Sequence, residues 1–332
     1  MGRKGYVFVM QLSVKIKIRL AVILSGSALL YGTIGWKIIK PPEPGGVLTI
    51  LQGNAAVRTV PAIVVLAIVG TALAALIGGK FRQYLAAFSV PLGLSVWSLQ
   101  MGGMERLLVD HVGLNERAGM YYRLAGDVIF WFGVVLLGVA AAGWMARWFK
   151  RQGKDGEENP PLPARKSFGR AAQQERKSPI FRGFDKELYQ GIGAIVLSMV
   201  IAIVLLKFLL VAGRTWVGRT PQVYATRVPA SGQIIFAVAA AFFLATMITY
   251  QIFTVKLWYF LPVPVLVALG AYIAGAQAGV LKPLVEASAS FVASSVSFAT
   301  VLPIQYVGIG TLALTAGYWY GIDLREYLMK RR

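Results

Sequence analysis

Residues 106–127, RLLVDHVGLNERAGMYYRLAGD, hold the one histidine of the chain, His111, beside Asp110, with Glu116, Arg117 and Asp127 following. An imidazole next to a carboxylate can move a proton near neutral pH, and a carboxylate entering a membrane can hold an ion or a proton. The rest of the inventory removes most other chemistry. With no Cys and a single His there is no thiolate zinc site, no cysteine-ligated cluster, no disulfide and no cysteine nucleophile, so neither a metal nor a cofactor is expected. The chain also lacks a G-x-S-x-G elbow, an H-E-x-x-H pair and a phosphate loop, and no catalytic residue is assigned. A lone His has no ligand set, and His111 reads as part of a solvated connection between two apolar runs.

Those runs dominate the sequence. Hydrophobic residues make up 57% of the 332 positions and charged residues 14%, against about 25% charged in a soluble domain. Stretches of roughly 20 apolar residues cross the hydrocarbon layer as helices. Eight are expected, at 20–36, 60–79, 84–103, 124–146, 190–212, 233–253, 257–278 and 301–321. The fold class is therefore an all-α integral membrane protein, a polytopic bundle of about eight transmembrane helices. The first run follows a basic lead and reads as an uncleaved signal anchor.

The net charge of +20 does not point to nucleic acid, because the basic residues lie between the apolar runs and at the ends. Of the 34 Lys and Arg, 23 fall on one side of an eight-span topology and 10 on the other, with Lys207 inside a span. The excess places both termini and the central linker in the cytoplasm of a bacterial-type inner membrane. The expected organisation is a membrane half at 1–148, a charged linker at 149–188 and a second membrane half at 189–332. The linker is rich in Pro, Gly and charge, and its basic residues can rest on anionic lipid headgroups.

The halves share a plan: four spans each, a short basic inner turn after the second, and proline in the third. An even number of spans per half makes such a repeat parallel. Pro91, Pro262 and Pro264 are candidate helix kinks. Asp127 falls in the first turn of the fourth span, where a carboxylate meets the positive helix end; the alternative is an ion site or a pair with Lys207. Lys207, about 7.5 Å from the outer end of its span, can also snorkel to the interface. Gln100 and Gln251 are candidates for hydrogen bonds between helices. The segment 281–298 gathers Glu286, Ser290, Ser294 and Ser297 into one arc if helical, which suits a helix lying in the interface.

The first functional reading is a non-catalytic scaffold or accessory subunit of a membrane complex, with the lipid bilayer and other membrane subunits as partners. A transporter for a small solute or lipid-like molecule is the alternative. A membrane-embedded enzyme using Asp110, His111, Glu116 or Asp127 comes third.

Overall fold

A computed structural model describes residues 14–41, 46–51, 56–78, 86–151, 180–210, 214–217, 223–277, 279–281 and 291–331. The chain is a helical, membrane-type bundle. Its helices are α1 (Val14–Leu29), α2 (Trp36–Ile39), α3 (Ala56–Gly78), α4 (Ser89–Gln100), α5 (Met104–Asp110), α6 (Leu114–Arg151), α7 (Ile180–Leu209), α8 (Ser231–Ile252), α9 (Val263–Gly275) and α10 (Pro303–Arg331). A π-helical segment, Leu30–Gly35, joins α1 to α2.

Among the described residues six stretches are long and apolar enough to cross a membrane: Ile18–Ile39, Thr59–Gly78, Leu114–Phe149, Glu187–Leu209, Ser231–Ile252 and Leu257–Gly275. The other two expected spans differ for a physical reason. The run 84–103 contributes α4, only 12 residues, and eight of those are buried. In α10, residues 303–311 are all buried, so this helix faces protein and tolerates Gly, Thr and Gln where a lipid-facing helix would need aliphatic chains.

Side-chain contacts fix the directions. Tyr31 lies against Gly70, and Gly35 against Leu66, so α1 and α3 are antiparallel. Ser27 meets Ser89 and Gly35 meets Trp97, so α1 and α4 run parallel. Trp97 touches Trp131 and Val90 touches Gly138, which turns α6 back again. The second half repeats this alternation. Gln233 bonds Leu209 and Phe253 covers Gly193, so α7 and α8 are antiparallel. Tyr272 meets Tyr306 while Pro264 meets Gly310, so α9 and α10 are antiparallel. Phe242 against Gly310 and Tyr250 against Gly321 set α8 and α10 parallel.

The outer connections depart from expectation. Residues 104–123 are not a wet loop: they form α5 and the first turns of α6, with Met104, Leu107, Leu108, Met120 and Tyr121 buried. Helix α6 starts early because Gly113 opens it with its N–H donating to Glu116 at 3.0 Å, half of a capping box. In the second half, β1 (Arg214–Val217), β2 (Val223–Arg227) and β3 (Phe291–Ala293) make a small antiparallel sheet, with Arg214 opposite Thr226 and Ala225 opposite Ala293. The expected helical arc at 281–298 is corrected accordingly: its described part is β3 followed by the 3-10 turns Ser294–Thr300, while Glu286 and Ser290 lie outside the described residues.

Candidate functional site

Asp127 is fully buried, in the fourth turn of α6 rather than the first. Its N-terminal helix amides are thus not free, and the carboxylate serves another segment. One oxygen accepts the Ile50 N–H at 3.2 Å and the other the Leu51 N–H at 3.0 Å. Gly126 makes room for this strap: a Cβ there would come within 2.5 Å of Leu51 Cδ1. The strap is anchored again where the Gly102 N–H donates to the Gly46 carbonyl at 3.1 Å, and Leu48 and Ile50 are buried under it. Two charge-assisted bonds to backbone amides are strong because the site is dry.

Around Asp127 the two halves meet. The ring of Tyr272 on α9 lies 6.2 Å from that of Tyr121 on α6. Tyr272 donates its hydroxyl to the Val301 carbonyl, and Tyr306 donates to Phe298 at 2.7 Å. The Tyr272 and Tyr306 rings stand perpendicular at 6.3 Å, a favourable edge-to-face contact. Gly275 lets α9 approach, since a Cβ there would sit 3.2 Å from Tyr121. Sequence reasoning missed Tyr272 and Tyr306, which look ordinary inside apolar runs, and expected Tyr121, buried here, at the lipid interface.

The remaining candidates are dispersed. His111 ends α5, its Nδ1 2.9 Å from the Leu107 carbonyl, while its own carbonyl accepts the Nε–H of buried Arg117 at 3.1 Å. From the start of α6 to Asp127 is roughly 20 Å along the axis, so the imidazole and the carboxylate do not form one site. Asp110 pairs with Arg106 at 3.6 Å on the exposed face of α5. Lys207 is exposed near the end of α7 and makes no ion pair with fully buried Asp127, which corrects the proposed pair.

The amide side chains bind helices together. Gln251 donates to the Gly321 carbonyl at 2.9 Å, joining α8 to α10. Gln100 donates to the Gly32 carbonyl at 3.1 Å, and Trp97 donates its indole N–H to the Tyr31 carbonyl at 2.8 Å. Both acceptors lie in the π segment, where the wider turn leaves carbonyls open to outside donors. Tyr31 itself is wedged between Gly70 and Gly93, where added Cβ atoms would fall 2.6 and 2.5 Å from it. Its hydroxyl donates to the Leu66 carbonyl at 3.2 Å.

Pro262 and Pro264 start a helix instead of kinking one, whereas Pro91 follows helical residues 86–87 and the break at Phe88, where a proline kink falls. Pro91 is the third residue of α4, just after the turn at Phe88; Pro262 precedes α9 and Pro264 is its second residue. First-turn positions have no intrahelical N–H bond to lose. Chemically, the arrangement anchors backbone: an anion holds a strap, and amides and hydroxyls cross-brace helices. No protein-family model matches the chain, and neither a curated protein nor a solved structure is significantly similar to it.

Proposed function

We propose that this protein is a non-catalytic scaffold or accessory subunit of a membrane complex, with eight crossings, both ends and the 149–188 linker on the cytoplasmic side of an inner-type membrane. One observation carries the reading: the polar groups best suited to chemistry hold the fold together. Asp127 is occupied by two strap amides, Gln100 and Gln251 by carbonyls of neighbouring helices, and His111 by the α5–α6 junction. The alternating helix directions support α4 and α10 as the two further crossings, shielded from lipid by the others. Basic linker residues would rest on anionic headgroups.

Purification in mild detergent tests the role. A scaffold brings a stoichiometric partner subunit with it, and partner capture survives His111→Ala. Recovery of a chain without partner, together with a melting temperature raised by a small solute alone, would replace this reading with the transporter one. That alternative draws on one observation: the third helix of each half is short, begins with proline in its first turn and packs on the opposite half.

A further inference from the structure

The two halves match in more than their plan. In α1 and the segments continuing it, the buried positions are 23, 27, 31, 35 and 39; in α7 they include 194, 198, 202, 206 and 210, a constant displacement of 171 positions. In α3 the buried positions 63, 66, 67, 70, 71, 74 and 75 reappear in α8 as 238, 241, 242, 245, 246, 249 and 250, displaced by 175, and only the last, Gly78, falls on a half-buried counterpart, Phe253. In α4 seven of the eight buried positions, 89, 90, 91, 93, 94, 97 and 98, return in α9 as 263, 264, 265, 267, 268, 271 and 272, displaced by 174; the eighth, Ser95, falls on half-buried Leu269. The third and fourth helices are joined by an aromatic pair in each half, Trp97 with Trp131 at 6.4 Å and Tyr272 with Tyr306 at 6.3 Å, although Tyr272 lies one position beyond the register partner of Trp97.

Residue types follow this register. Ser27 matches Ser198 and Thr71 matches Thr246, all four buried hydroxyls in apolar helices. The Tyr31 wedge, with Gly70 and Gly93 around it, matches Ala202 with Ala245 and Val267, so volume lost at one site is regained at its neighbours. Packing between the halves is reciprocal: α4 lies on α10, α9 lies on α6, and α6 contacts α10. Tyr121, near the start of α6, lies against Gly275, the last residue of α9, where the two helices pack, so α6 is antiparallel to α9 and hence parallel to α10.

We propose that the chain is a tandem duplication of one four-helix unit, and that the α4–α6 face is a self-complementary docking surface whose partner is a second copy of that unit, supplied here by α9 and α10. The halves are related by a twofold-like axis along the helices, as an isologous interface requires. The proposal accounts for an oddity. Ser27 bonds Ser89 at 3.1 Å, whereas the buried Ser198 hydroxyl has no hydrogen-bond partner. The register puts Val263 where Ser89 stands, so the second copy kept one serine of the pair and lost the other.

Because the chain has no Cys, paired cysteines test the register directly in membranes. Ser27→Cys with Ser89→Cys, and Ser198→Cys with Val263→Cys, are expected to cross-link intramolecularly to a similar extent under mild oxidation. Cross-linking of the first pair alone overturns the proposal; failure of both overturns it too, since the contact defining the register is then missing. A second measurement uses folded protein. Val263→Ser made in the native chain should form the missing hydrogen bond, so its unfolding equilibrium constant should be about threefold more favourable to the fold than additivity with Ser198→Ala predicts. Additive effects overturn the proposal.

Discussion

Tyr31 and Ala202 stand at corresponding places in the two halves and fill them in opposite ways. The first half drives a large aromatic ring between two glycines, on a helix widened to a π segment; the proposed register puts Ala202, Ala245 and Val267 at the matching positions of the second. Outside the bundle the contrast is reversed. The first half covers its outer end with α5 and the strap held by Asp127, the second with a three-stranded sheet and 3-10 turns. A four-helix frame thus tolerates different fillings and different lids, provided each filling is compensated locally.

The sharpest way to break this contrast is Tyr31→Ala, which empties a fully buried aromatic site and should cost about 3–5 kcal/mol, read by denaturation in detergent. Adding Gly70→Ala and Gly93→Val should recover part of the loss, because that combination copies the second half. Gly93→Ala alone should cost about 1–3 kcal/mol by forcing the Tyr31 ring to move. Next is Asp127→Ala, which leaves the buried Ile50 amide unpaired at roughly 1–3 kcal/mol and the part-buried Leu51 amide at less. Its sign in membranes is faster labelling of a cysteine placed at Leu51, and Asp127→Asn, keeping one acceptor oxygen, should be intermediate.

Gln100→Ala and Gln251→Ala bear on the cross-bracing. Each should lower stability by about 0.6 kcal/mol, and the two should add because they lie in different halves. The smallest effect concerns the inner turn before α9, where Lys256 meets Glu187 at 2.7 Å. The hydrogen bond to Glu187 raises the Lys256 ammonium above its ordinary range. A lysine raised in the fold stabilises while protonated, so this contribution is complete below the unfolded pKa and fades as pH rises through the folded one. Both side chains are largely exposed, and Glu187→Gln should shift melting by about 1 °C or less at neutral pH, vanishing at the alkaline end.

The bundle and most of its spans were legible because lipid-facing helices must be apolar along their length. The ends were not. Helix α6 begins ten residues before the expected span, since polar residues such as Asn115 and Glu116 continue a helix once it leaves the hydrocarbon. Asp127 stood out as an ionisable residue entering a span, but it lies in the fourth turn of α6, and its partners are backbone amides 76 and 77 positions away, which no side-chain pattern announces. The Tyr31 wedge was hidden for the same reason: Gly70 and Gly93 acquire meaning only when three helices are brought together.

The burial of α4 and α10 has a consequence for how the molecule is made. A 12-residue helix and a helix punctuated by Gly, Thr and Gln are poor candidates for leaving a translocation channel into lipid one at a time. They need a lining of finished protein to enter. Since α10 follows α4, α6, α8 and α9 along the chain and packs on all four, its emergence is what closes the bundle. Nascent chains halted before residue 303 should therefore remain open to membrane proteases, with α4 waiting for its cover.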